Sequence, residues 1–197
     1  DALHYDVLHE EGVEDDPAHL LAQGLRLDDG VAAVDGERFR LYWDGMPIWG
    51  RLRDHAELFA RLKTCVLAST YCNSWIFTAF DPANPFESLA RAYTAIYPNR
   101  SREYKGRYLS RGFERSGVDA AVFHDARTSP EHSGVRHGVH IRLQRETGVP
   151  SIVIEGDTHD LRLVSVDHIR SQLQEFLEHR RLRAESLGGA VREGLTH

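Results

Sequence analysis

Four short apolar runs each stop at a cluster of polar or reactive residues, and this spacing constrains the fold more than any other feature. The runs end at Tyr42-Trp43-Asp44-Gly45, at Ser69-Thr70-Tyr71-Cys72, at His124-Asp125-Ala126-Arg127-Thr128-Ser129-Pro130 and at Glu155-Gly156-Asp157. The second run, Thr64 to Thr70, is continuous and short, as a strand buried on both faces requires. Between the runs, apolar residues recur at helical spacing. Leu52, Ala56, Phe59 and Ala60 mark a helix over 49–63. Phe86, Leu89, Ala90, Tyr93 and Tyr97 mark another that ends near Pro98, and a third covers about 101–115. Val135, Val139 and Leu143 share a face of a fourth, which stops at Gly148 ahead of Pro150. Ser165 is placed to cap a last helix whose apolar face is Ile169, Leu173, Phe176 and Leu177. This βαβα order predicts an α/β, doubly wound parallel sheet of four or more strands with helices on both faces. Its strands are expected to end near residues 44, 70, 125 and 156. In such sheets ligands bind at the carboxyl ends of the strands.

The 197 residues divide into three parts by composition. An acidic segment, 1–36, is poorly patterned, with one helix expected from Pro17 to Leu25. Residues 37–180 form the α/β domain, and 181–197 a charged tail expected to fray. The chain opens on Asp, as expected of a fragment or a processed subunit. Its net charge of -6 argues against nucleic acid as a partner. No apolar stretch approaches the roughly 18 residues of a membrane span. Two cysteines, Cys65 and Cys72, make no disulfide framework, so a reducing, cytoplasmic compartment is expected.

The nucleotide-binding, serine-hydrolase and zincin signatures are absent. The candidates are therefore the residues at the strand ends. Cys72 is either an exposed thiolate ligand or nucleophile, or a small buried hydrophobe; Cys65 reads as core. His124 is either a general acid/base or a ring that bridges neighbouring backbone. Trp43, Met46, Trp49, Tyr71 and Trp75 crowd two strand ends, where they would wall a pocket for a flat or apolar group; Trp49 fits ordinary core slightly better. One cleft at the carboxyl edge is expected to gather Trp43, Tyr71, Trp75, His124 and Glu155. His132, His137, His140 and His159 lack acidic or thiolate companions at a recognised spacing. They read as a solvated surface rather than a metal site.

Three stretches carry a family resemblance: Arg38 to Trp49, Ala68 to Trp75 and Gly148 to Asp157. Together they resemble the 2-hydroxyacyl-CoA dehydratase and benzoyl-CoA reductase family, with the greatest likeness to the B-type reductase subunit. The likeness covers about residues 37–180. It implies a flavodoxin-like domain, one of two in a longer subunit, that is inactive alone. It implies a sister subunit, an ATP-hydrolysing electron activator, an acyl-CoA substrate and a [4Fe–4S] cluster. His124 and Glu155 would then be catalytic, with Trp43, Tyr71 and Trp75 against the substrate. The family's third cluster cysteine lies in a segment like His-Asp-Ala-Lys-Thr-Cys-Pro, and here Ser129 stands in its place. Ser129, with Cys72 nearby, is thus the candidate metal position. Serine is a poor match for cluster iron. The rival expectation is a cluster-free scaffold or interaction domain that kept the fold and lost the redox role.

Overall fold

The computed structural model describes residues 33–73, 80–129, 135 and 138–193. The helix expected over 17–25, and Trp75, His132 and His137, lie outside them. Strands β1 (Phe39–Asp44), β2 (Thr64–Ser69), β3 (Ala120–Ala126) and β4 (Ser151–Gly156) form one sheet in the order β2-β1-β3-β4, all parallel. The helices are α1 (Leu52–Arg61), α2 (Thr70–Asn73), α3 (Pro85–Ala95), α4 (Arg102–Ser116), α5 (Val139–Thr147) and α6 (Val166–Glu193). Strand ends fall within a residue of the expected positions, each at or just past the point where the apolar run gives way to polar residues.

Alternation along the strands divides the core in two. Leu41, Trp43, Ala120 and Val122 face α1 and α6, where they meet Leu58, Phe59, Ile169 and Leu173. Tyr42, Ala121 and Phe123 face α4 and α5, where they meet Leu109, Phe113, Val139 and Leu143. The central strands β1 and β3 are buried on both faces along most of their length. Strands β2 and β4 lie at the edges and are only partly buried, so β2 is not the doubly buried strand expected from its apolar run. Ser165 caps α6 as expected, accepting from His168 N at 3.2 Å, and Ser101 caps α4 in the same way, accepting from Tyr104 N at 3.2 Å. Gly148 ends α5 with φ at 73°.

Four features differ from expectation. Gly138, with φ at 66°, breaks the helix expected to carry Val135, so α5 starts at Val139; Val135 still packs on the same core. Trp49 is not core but 45% exposed, in a 3-10 turn before α1. On α3 only Ala92 is buried, while Phe86, Leu89 and Tyr93 are exposed. Helix α6 continues to Glu193, past the expected boundary at 180.

Candidate functional site at the carboxyl edge

The chain leaves β1 toward β2 on one side and leaves β3 toward β4 on the other, so the switch point lies between β1 and β3. The turn after β1 folds over the end of β3. Gly45 permits this: its φ is 96°, and a Cβ there would lie 2.8 Å from the His124 carbonyl oxygen. Met46 O thereby comes within 2.6 Å of His124 Nδ1. A carbonyl only accepts, so Nδ1 carries the proton. The ring is 1% exposed, and burial holds its pKa down against the pull of the Met46 bond. A neutral ring then leaves Nε2 as a bare lone pair, buried and without a partner among the described residues. Gly156 makes room for that nitrogen, since a Cβ at 156 would stand 2.8 Å from it. His124 thus bonds backbone through Nδ1, while its Nε2 lone pair is not used by any described residue. Gly45→Ala should cost about 2–3 kcal/mol through backbone strain and the carbonyl clash. Gly117→Ala, where φ is 54° and nothing lies within 4 Å of the new Cβ, should cost about half as much or less. Urea unfolding of the two variants measures the difference.

Strand alternation decides which candidates meet. The Trp43 and His124 rings lie 5.9 Å apart on the α1 side. His55 of α1 joins them, 6.2 Å from Trp43. Glu155 does not join. It pairs in register with Asp125, whereas His124 pairs with Ile154. Its carboxylate bonds Arg127 at 2.7 Å in an exposed pair, and Arg127 holds its pKa down. Tyr71 meets Trp49 edge to face at 5.3 Å. Trp43 and Cys72, with Cys65, line a cavity of about 390 Å³ between α1 and the β1–β2 half of the sheet. Cys72 is exposed and Cys65 is partly so. His140 packs on Phe123 at 5.8 Å, so it faces inward rather than solvent.

Two carboxylates carry more of the site's structure than the residues singled out by sequence. Asp157 follows β4 and is fully buried. Its Oδ2 accepts from Thr128 N at 2.8 Å. Its Oδ1 accepts from Thr128 Oγ1 at 2.9 Å and from His159 N and Asp160 N at 2.8 Å each. Burial raises the carboxyl pKa, but these four bonds outweigh it and hold the group well below the usual carboxylate range. The Thr128–Ser129 turn after β3 is thus clamped to the end of β4. Ser129 N closes that turn on Ala126 O at 3.2 Å. The available signal was an Asp just past a strand end with donors two and three residues on, the Asx-turn pattern.

The second carboxylate, Asp44, ends β1 and is 3% exposed. Thr70 Oγ1 lies 2.6 Å from its Oδ1 and 3.3 Å from the Tyr42 hydroxyl. The single hydroxyl proton goes to the nearer carboxylate. Burial raises the Asp44 pKa to about 6, against Thr70, the Lys105 charge and the Gly45 amide. Lys105 of α4 and the ring of Tyr97 stand on the same side. Among the described residues no three His, Cys, Asp or Glu side chains gather to hold a metal.

A family model described as 2-hydroxyglutaryl-CoA dehydratase, D-component, matches residues 13–179. The alpha subunit of lactoyl-CoA dehydratase from Anaerotignum propionicum is 26% identical over 153 residues, 77% of this chain and 36% of that protein. The alpha subunit of (R)-2-hydroxyisocaproyl-CoA dehydratase from Clostridioides difficile is 22% identical over 142 residues, 72% of this chain and 34% of that protein. The B-type subunit of benzoyl-CoA reductase from Thauera aromatica is 23% identical over 166 residues, 80% of this chain and 38% of that protein. The chain spans little more than a third of the length of these curated relatives.

Proposed function

Because the chain belongs to the 2-hydroxyglutaryl-CoA dehydratase, D-component family, we propose that it is a domain of a subunit that binds an acyl-CoA thioester for dehydration or reduction. It works with a sister subunit and an ATP-hydrolysing electron activator, and it is inactive alone. The observation that carries this reading is the clamped turn at the carboxyl edge. Asp157 fixes Thr128 and Ser129 beside the switch point, where α/β sheets take their ligands. The relatives, by their names, are subunits of enzymes that act on CoA thioesters.

A [4Fe–4S] cluster, which the resemblance implies, does not fit the residues of this chain. Such a cluster takes three or four thiolates. The chain has two cysteines, Cys65 near the start of β2 and Cys72 beyond its end. Ser129 offers a hydroxyl that keeps its proton at neutral pH. That substitution favours the second reading, a cluster-free scaffold or interaction domain. Calorimetric titration with benzoyl-CoA and 2-hydroxyisocaproyl-CoA, against free CoA, separates the two. Under the first reading at least one thioester binds about tenfold more tightly than CoA, a difference of about 1.4 kcal/mol. Equal binding, or none, would leave the scaffold reading standing.

A further inference from the structure

Helix α3 buries only Ala92, and most of its apolar surface faces outward. Phe86 is 87% exposed, Leu89 43% and Tyr93 48%, and Ala90 is exposed between them. These four lie at i, i+3, i+4 and i+7, so they form one stripe along the helix. Beside the stripe runs an exposed ion pair, Arg91 Nε to Glu87 Oε1 at 3.0 Å. One exposed apolar residue needs no explanation, but a contiguous stripe on an 11-residue helix marks a contact surface. The stripe is close to symmetric about the midpoint between Leu89 and Ala90, with an aromatic ring at each end. In an antiparallel pair of such helices related by a twofold axis, Phe86 of one copy comes level with Tyr93 of the other, and the large Leu89 with the small Ala90. Glu87 of one copy then lies within about 1.5 Å, one residue rise along the axis, of the level of Arg91 of the other. The rim charges therefore meet as opposites. A membrane surface would favour uncompensated cations around the stripe, whereas here Arg91 is balanced by Glu87.

We propose that α3 is the contact of a symmetric, reversible dimer of this chain, packed as an antiparallel helix pair along Phe86, Leu89, Ala90 and Tyr93. The dimer stands apart from the thioester reading and does not depend on it. Two aromatic side chains of about 150–250 Å² each, exposed to this extent, offer roughly 300 Å² per copy. Leu89, Ala90 and the flanking charged pair bring the whole contact to roughly 1,000 Å², the lower end of specific interfaces. The dimer is therefore weak, with a dissociation constant on the order of 100 μM.

Sedimentation velocity on the 197-residue chain, from about 5 μM to about 1 mM, tests this. The weight-average mass should rise from the monomer toward twice that value, with its midpoint on the order of 100 μM. Phe86→Asp loses little packing within the fold, because that ring is already solvated, and should raise the midpoint at least about tenfold. Ile141→Asp changes a residue 49% exposed on α5 rather than α3, and should leave the midpoint unchanged. A charge exchange separates contact between copies from support within one helix. Glu87→Arg and Arg91→Glu each break the pair within a helix and set like charges together in a dimer of their own kind. Each alone should therefore dimerise about threefold more weakly or worse. Mixed one to one, the two variants again place opposite charges across the contact, and the mixture should associate more tightly than either alone. A chain that stays monomeric at about 1 mM overturns the proposal. So does a dimer that Phe86→Asp leaves intact, one that Ile141→Asp weakens as much, or a mixture no tighter than its components.

Discussion

Asp157→Ala is expected to destabilise the domain by about 3–5 kcal/mol, because four donors lose a charged acceptor in one step. That is a large part of the roughly 5–15 kcal/mol that holds a domain of this kind together. The melting temperature should fall by about 10 °C. Asp157→Asn should be milder. An amide oxygen in the place of Oδ1 keeps three bonds, but the amide nitrogen in the place of Oδ2 faces the Thr128 N–H, donor against donor. The folded-state pKa is depressed, so the carboxylate's contribution is present above the ordinary Asp range and is lost as pH falls below it. Wild type should therefore lose stability below about pH 4, and the variants should lose less over the same interval. A melting temperature within about 3 °C of wild type for Asp157→Ala would show that the clamp is not holding the turn.

Asp44→Asn should do the opposite. The folded pKa is raised to about 6 from 3.8, so between these values the native state holds a proton that the unfolded chain has released. Stability then falls as pH rises from about 4 to about 6 and stays at its lower level above. A shift of this size corresponds to about 3 kcal/mol. An asparagine at 44 is neutral throughout and still accepts from Thr70. Asp44→Asn should match wild type near pH 4 and exceed it by about 2–3 kcal/mol at pH 7.5. The groups facing Asp44 are Thr70, Tyr42, Tyr97 and Lys105. They remain in both proteins, so the difference between their urea midpoints isolates the carboxylate. Parallel pH profiles for the two proteins would refute the account.

The central strands were legible because they are buried on both faces, and the edge strands β2 and β4 because their short apolar runs stop at polar residues even though they are partly exposed. Helix ends were legible where one residue type does a specific job, as at Gly148 and Ser165. Periodicity places Val135 on a helix because it does not register the left-handed conformation of Gly138, three residues on. Glu155 groups with His124 in sequence because both end strands. Alternation gives each strand two faces, but only the register with its neighbour says which faces coincide. Trp49 looks internal from its composition and is held at the surface by the 3-10 turn. Asp44 and Asp157 were visible as residues but not as sites, because their importance lies in donors brought from other loops. The family was legible from three stretches, two of which end at the carboxyl edge of the sheet.

The strand order also sets a sequence of events in time. Each outer pair, β2 with β1 and β4 with β3, joins residues about 25–30 positions apart. The central seam joins β1 to β3, and its first tie, Arg40 N to Asp119 Oδ2, spans 79 residues. Closing a longer loop costs more chain entropy, and distant pairings slow folding. The two βαβ halves can therefore form early, and the seam between them closes last. Gly45, Met46 and His124 lie across that seam, so the switch-point geometry is absent until the final step of folding. A variant that weakens only the Met46–His124 bond should speed unfolding and leave the refolding rate nearly unchanged.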